Sequence, residues 1–353
     1  MATMKAQQII NWGEPLQERE YDTPEPQGSE ILIRVTSCGV CHSDLHLHEG
    51  GFRMTKEHFV RLADMGVELP MTMGHEIGGV VEAVGPDVEG VEVGQSYVVY
   101  PWIGCGECEH CEAGMDIDCM TTRPLGTRRD GGYATHVICP DKRYLFAHGD
   151  VSMDLACTYA CSGLTAFSAL RKHSHLTEKD HLVIVGAGGV GLSAVMLAKH
   201  VTKAKIVVAD TDPEKRSVAR QAGADETIDN SQPDAIQKVH EMSGGGVRGV
   251  IDFVGRPETA GFGLDCLRKT GKLVLVGLYG EALPVALPRM PISQLTIQGS
   301  YVGSLHDMKD LMDLVVAGKV PPIPVSTRPL SEANDALQAL VDGTVTGRQV
   351  LKP

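Results

Sequence analysis

The sequence predicts an α/β protein in two parts: a β-rich part, then a doubly wound parallel sheet. Three observations predict it. Over the first ~150 residues, short apolar runs such as EILIRVTSCGV and IGGVVEAVG are bounded by Gly, Pro and Ser, and GPDVEGVEVGQSYVVYP alternates turn signals with valine-rich runs. From about Leu155 the pattern changes. LTAFSALRKHS has the spacing of an amphipathic helix. HLVIV, AKIVVADTD, VRGVIDFVG and GKLVLVGLYG then follow as short apolar strands separated by helical stretches, as parallel strands covered on both faces require. After about Tyr301 come a helical segment (MKDLMDLVVAGK), a Pro-rich stretch (VPPIPVSTRP) and a final helix (SEANDALQALVDG).

The 353 residues suffice for roughly two domains with a core each. Apolar content of 42% and charged content of 22% describe an ordinary globular chain. A net charge of −13 argues against nucleic acid or an anionic membrane as partner. The N-terminus (MATMKAQQIINWGEP) has no apolar h-region, so no signal peptide is expected. The longest apolar run, Leu182 to Ala198, contains four glycines and falls short of the ~20 residues of a spanning helix. Ten cysteines fit a reducing cytoplasm with thiolates used for metal.

Four of those cysteines, Cys105, Cys108, Cys111 and Cys119, are separated by two, two and seven residues, with Gly106 and Gly114 to turn the backbone between them. Thiolates so spaced close around one tetrahedral Zn²⁺. With all four ligands from the protein the site is closed, hence structural. A second donor set is scattered: Cys41 in CGVCHSDLH, His75 in MGHEIGGVV and Cys161 in YACSGLTAF. Two thiolates and one imidazole leave a fourth position open, the arrangement of a catalytic zinc. Cys157 competes with Cys161 for the third place. Asp44 is a candidate to hold the His75 imidazole, and Glu76 adjoins it.

Gly186, Gly188 and Gly191, with Gly189 and Val190 between, fit G-x-G-x-x-G after a strand and at the opening of a helix. Glycines there permit a tight turn and close approach of backbone to a pyrophosphate at the helix N-terminus. The next strand, IVVAD, ends at Asp210, about 20 residues on, where a carboxylate accepts from the adenosine ribose and repels a 2′-phosphate. NAD is therefore expected over NADP, with Asp212 as the alternative acidic residue.

Together CGVCHSDLH, GHEIGGVVEAVG, the four-cysteine lobe, YACSGLTAFSAL, VGAGGVG and VVAD resemble the zinc-dependent alcohol dehydrogenases of the medium-chain dehydrogenase/reductase superfamily, over essentially the whole chain. The resemblance implies a GroES-like catalytic domain from residues 1–160 and 302–353, with the zinc lobe at about 100–125, and a Rossmann domain at 161–301. It implies two zinc ions per chain, NAD, an alcohol or carbonyl substrate, and a homo-oligomer, a tetramer rather than a dimer. Cys41, His75 and Cys161 match the catalytic zinc ligands. Ser43 matches the hydroxyl that touches the substrate oxygen, and His46 the outer end of a proton relay. Asp44 and Glu76 match the carboxylates behind the ligands. Lys215 matches a lysine near the adenosine ribose; Val254, Val276 and Leu278 match contacts to the coenzyme. Arg348 matches a pyrophosphate contact, and His42 stands where some members place an arginine. Trp102 matches an aromatic wall of the substrate pocket, with Tyr301 following the nicotinamide-contacting strands.

One departure is the stretch GGFRMTKEHFVRLADMGVELP, longer than in members acting on short primary alcohols. It reads as an insert with a short helix capped by Thr55, with Phe59, Leu62 and Ala63 as its apolar stripe and Gly66 as its stop. The 51–70 insert is expected either to cover the pocket or to serve a subunit interface. The expected reaction is reversible hydride transfer to NAD from a primary or secondary alcohol, with medium-chain, cyclic or aromatic alcohols favoured. The alternatives are a polyol dehydrogenase of the same superfamily, which commonly carries a carboxylate at the Cys161 position, and a catalytically silent NAD-binding protein.

Overall fold

A computed structural model describes residues 2–353. The chain divides into two compact units. The first comprises residues up to Gly51, then Arg61–Leu164 and Gly303–Pro353; the second comprises Phe52–Val60 and Thr165–Val302.

The first unit is built on a sheet whose strands run in the order Leu145–Phe146, Ser96–Val99, Glu76–Val84, Ile31–Val40, Arg348–Lys352, Val325–Pro329, with His136–Cys139 also pairing Ile31–Val40. Its two longest strands, Ile31–Val40 and Glu76–Val84, are antiparallel, with Gly39 opposite Glu76. The C-terminal strand lies on the other side of Ile31–Val40, with Gln349 opposite Val40. These pairings bring Cys41, just past the end of one strand, and His75, just before the start of the next, to the same end of the sheet. Arg348 emerges beside them. Gly39 is required there, because a Cβ on it would sit 1.9 Å from Glu76 Oε2.

The second unit contains six parallel strands. In space they run Glu226–Ile228, Lys205–Ala209, His181–Val185, Val247–Asp252, Leu267–Leu275, Thr296–Gly299. In chain order this is 3-2-1-4-5-6, the Rossmann arrangement. Leu182, Val183, Ile184 and Val185 are all buried, so both faces of the central strand are covered, the reason it reads as a continuous apolar run. Val183, Val185, Val207, Val250 and Leu273 form one core with residues of the covering helices, among them Val239 and Leu264. The third and sixth strands were not evident as separate strands in the sequence. Glu226–Ile228 is only three residues long, and Thr296–Gly299 is four residues at a sheet edge.

The insert differs from the expected helix. Gly51–Arg53 and Phe59–Arg61 pair as a two-stranded hairpin. Thr55 is not a helix cap; its Oγ1 accepts from the N–H groups of Glu57 (3.2 Å) and His58 (3.1 Å), folding the chain back on itself. A threonine hydroxyl offers the backbone this alternative to helix wherever no apolar face compensates. Phe59 is exposed rather than part of a helical stripe, while Leu62 is buried. Gly66, at φ 79°, does end a turn, the 3₁₀ segment Ala63–Met65. The hairpin lies against the Gly280 loop so closely that a Cβ on Gly280 would meet Arg53 O at 2.2 Å.

Candidate active site and metal centres

Cys41, His75 and Cys161 converge, their sulfur and nitrogen atoms all within 4.8 Å of one another and all three residues buried. Cys161 follows the 3₁₀ turn Cys157–Ala160. Ser162 N–H donates to Glu76 Oε1 at 3.0 Å, which fixes where Cys161 stands relative to His75. Cys157 points elsewhere, its thiol donating to Asp154 O at 3.5 Å.

The site's groups are held in matched pairs. Asp44 is the third residue of the helix His42–Glu49. Its Oδ2 accepts from Cys41 N–H (2.9 Å) and from the Tyr133 hydroxyl (2.9 Å), and its Oδ1 lies 3.3 Å from His75 Nδ1. Glu76 forms a buried ion pair with Arg348. Burial pushes the Glu76 carboxyl up, and Arg348 opposes that shift. Trp102 is buried, donates its indole N–H to Ala160 O at 3.1 Å, and sets its ring 5.5 Å from that of His75.

The donor set fits a metal ion. Two thiolates about 2.3 Å from one tetrahedral zinc stand about 3.8 Å apart; Cys41 Sγ and Cys161 Sγ are 4.0 Å apart. The hydrogen bond between the two sulfurs holds the Cys41 thiol well below its usual range and pushes the Cys161 thiol well above it. Burial alone would lower the His75 imidazole, but Asp44 and Cys41 outweigh it and raise it. Neither ring nitrogen of His75 makes a hydrogen bond, although both are buried. A buried acceptor without a partner beside two sulfurs is what a metal would satisfy.

The four-cysteine lobe also gathers. All four sulfurs lie within 4.8 Å of one another, and the cysteines are free of disulfides. Gly106 and Gly114 adopt φ 87° and 70°, the turns expected of them. Gly104 lacks a Cβ that would strike Cys111 Sγ at 2.3 Å. Against the effect of burial, Thr121 and the backbone N–H of Cys105 and of Thr121 pull Cys119 down to about 6, favouring thiolate. Below the lobe, buried Asp116 accepts from Tyr144 Oη at 2.8 Å and pairs with Arg143.

In the second unit the glycine fingerprint has the expected form. Gly186 turns at φ 92°, and Gly188 is the extended residue before the helix Gly189–Val201. A Cβ on Gly191 would lie 1.8 Å from Gly186 O. Asp210 Oδ2 accepts from Ala187 N–H in that turn (2.7 Å), and Oδ1 from Asp212 N–H (2.9 Å). Asp212 is occupied as the cap of Pro213–Gln221, accepting from Glu214 N–H and Lys215 N–H. Val254 packs close to Gly186, since a Cβ there would touch Val254 Cγ2 at 2.8 Å. Val276 N–H bonds Asp252 O at 2.9 Å, and Leu278 and Tyr301 are exposed.

Two organising residues escaped the sequence reading. Buried Asp252 accepts from Val254 N–H, Gly255 N–H and the Thr259 hydroxyl, and so shapes the loop beyond its strand. A lone acid closing an apolar strand was its only signal. Tyr133 bonds Asp44 from 89 positions away, a separation no local pattern reports.

A model of the zinc-binding dehydrogenase family matches residues 189–317, and one of the alcohol dehydrogenase GroES-like domain matches residues 27–148. The chain is similar to an NAD-dependent alcohol dehydrogenase of Sulfurisphaera tokodaii, 38% identical over 352 residues and covering 99% of this chain and 100% of that one. Its structure is similar to the crystal structure of the alcohol dehydrogenase from Aeropyrum pernix, with a TM-score of 0.90, 33% identity, and coverage of 99% and 100%. It is also similar to the acetophenone reductase of Geotrichum candidum solved with NAD, with a TM-score of 0.86, 27% identity, and coverage of 99% and 97%. The chain therefore belongs to the zinc-dependent alcohol dehydrogenases of the medium-chain dehydrogenase/reductase superfamily, and it is an NAD-dependent oxidoreductase.

Replacing Cys161 by Ala should leave one zinc per chain, in the lobe, against two in the wild type, with turnover abolished. Elemental analysis of gel-filtered protein and an NADH assay read this out. Full activity in that variant, or its loss in Cys157→Ala alone, would reassign the third ligand.

Proposed function

We propose that this chain oxidises secondary or bulky primary alcohols, and reduces the corresponding ketones or aldehydes, at the Cys41–His75–Cys161 centre. The observation that carries the reading is that buried donor set with the Ser43 hydroxyl 3.6 Å from Cys41 Sγ. When bound, the metal supplies Lewis acidity at the substrate oxygen and NAD accepts the hydride. Cys41 and Cys161 would hold the metal through sulfur and His75 through Nε2, with Asp44 orienting the ring. Ser43 would hydrogen-bond the substrate oxygen. His46, one turn along the same helix, would take the proton toward solvent. Burial pulls the His46 imidazole below its usual value of 6.5, so it stays neutral and able to accept at neutral pH.

The coenzyme proposal is NAD held over the Gly186–Gly191 turn, with Asp210 on the adenosine ribose and Lys215, Val254, Val276 and Leu278 nearby. The Asp210 carboxylate has about four acceptor sites. Two serve Ala187 and Asp212, which leaves capacity for a diol and a charge against a 2′-phosphate. His42 and Arg348 are proposed to face the pyrophosphate. The lobe zinc is proposed to be structural.

Among the described residues no helix is long and apolar enough to cross a membrane. We propose a cytoplasmic homo-oligomer, tetramer over dimer. Support comes from the strand Thr296–Gly299, which among the described residues stands at the sheet edge, and from the exposed Leu287 and Ile292 that precede it in the sequence. The bulky-substrate reading rests on Trp102, whose buried ring lies 5.5 Å from that of His75 in the first unit, and, taken separately, on Tyr301 and the hairpin's Met54 and Phe59, large apolar side chains exposed in the second.

Four outcomes test this proposal. The ratio of kcat/KM for NAD to that for NADP should be large and should shrink by roughly tenfold or more in Asp210→Gly, the size of one charge-assisted hydrogen bond of about 1.5–3 kcal/mol; equal values in the wild type would defeat it. Ser43→Ala should lose roughly 10²-fold or more in kcat. His46→Gln should slow turnover most near neutral pH, where the imidazole is neutral and hydroxide is scarce, and least at high pH, and should recover with added imidazole; an unchanged pH profile would remove His46 from the relay. Cyclic and aromatic alcohols should exceed ethanol in kcat/KM, and shortening the hairpin should raise KM for them alone, since each apolar contact contributes ~1–3 kcal/mol. Ethanol as the best substrate would contradict the bulky-substrate reading.

A further inference from the structure

We propose that Tyr133 is a positioning residue for the metal centre, acting through Asp44, an inference that rests on the reading of Cys41, His75 and Cys161 as a zinc site. Tyr133 is completely buried, and its hydroxyl donates to Asp44 Oδ2 at 2.9 Å. The same oxygen takes Cys41 N–H, and the other oxygen faces His75 Nδ1. One carboxylate thus touches the backbone of one ligand and faces the ring of another, and among the described residues Tyr133 is the side-chain hydroxyl that anchors it.

The segment carrying Tyr133 is itself fastened to the chain that leads into His75. Gly131 N–H bonds Thr72 O (2.9 Å), Gly132 N–H bonds Gly74 O (2.8 Å), and Tyr133 N–H bonds Met73 O (2.9 Å). The ring then lies against Gly74, where a Cβ would sit 2.4 Å from Tyr133 Cδ1. Gly74 also takes φ 94°, a conformation that disfavours other residues. The chain immediately before His75 and the carboxylate behind His75 are therefore held by the same tyrosine, the first through its backbone and ring, the second through its hydroxyl. Groups that orient a ligand's partner carry over to metal retention, where loss of an outer partner costs roughly 10–100-fold in affinity. Tyr133 stands one bond further out, so about three- to tenfold is expected.

Tyr133→Phe isolates the hydroxyl, because the ring, its packing on Gly74 and the three backbone bonds remain. Zinc release to a chromogenic chelator should occur in two phases, one for each centre. In Tyr133→Phe the catalytic-site phase should accelerate about three- to tenfold while the lobe phase stays at the wild-type rate. Cobalt substituted at the catalytic site should show a shifted ligand-field spectrum. In an Asp44→Ala background, Tyr133→Phe should add nothing further, the signature of action through Asp44. Two wild-type release phases in Tyr133→Phe would overturn the proposal, as would equal acceleration of both phases with a lowered Tm. Wild-type protein that binds zinc only in the lobe would overturn the metal reading beneath it, an outcome distinct from a two-zinc protein whose release ignores Tyr133.

Discussion

The antiparallel register that sets Gly39 opposite Glu76 is the constraint on which the site depends. It places Cys41 and His75 at one end of the sheet although 34 positions separate them in the sequence. A slip of one residue would turn every side chain on that strand to the opposite face. Three features hold the register at this end. Gly39 leaves room for the Glu76 side chain, Glu76 binds Arg348 on the next strand but one, and Glu76 also accepts from Ser162 beside the third ligand. One carboxylate thus links both chain ends of the first unit to the turn carrying Cys161.

Such a cluster is costly to build without its metal. Two carboxylates, a guanidinium, an imidazole and two thiols are withdrawn from water together. Burial of each charge is unfavourable, and only close pairing offsets it. Asp44 is paired with His75, Cys41 and Tyr133, and Glu76 with Arg348 and Ser162. The His75 nitrogens and the Cys41–Cys161 pair remain incompletely satisfied by protein. A metal held there would contribute to folding of the unit as well as to its chemistry. The coenzyme turn follows a contrasting logic, with bare backbone at Gly186 and Gly191 and a single carboxylate, Asp210, bridging it to the next strand.

Much of this was legible in the residues because the informative groups are close in sequence or chemically rare. Four cysteines within fifteen residues can fold together through local turns alone, and they do. The glycine turn between a strand and a helix is likewise local. Cys41, His75 and Cys161 were legible as a donor set, and the strand pairing explains why they meet. The hairpin at 51–61 was misread because Phe59, Leu62 and Ala63 have helical spacing, whereas the Thr55 hydroxyl and contact with the Gly280 loop decide for strands. Asp252 and Tyr133 were missed for a different reason. Their roles lie in loops and in contacts across the fold, and a buried tyrosine in GGYATH looks no different from any core aromatic.

The central claim is that two chemically different zinc centres occupy this chain, one all-thiolate and one mixed. Zinc K-edge absorption fine structure on the fully loaded protein tests it without reference to activity. Four sulfurs in the lobe, and two sulfurs with His75 and one further light atom at the other centre, predict an average first shell of three sulfurs and one nitrogen or oxygen per ion. An average of four sulfurs, or a shell dominated by nitrogen and oxygen, would contradict it.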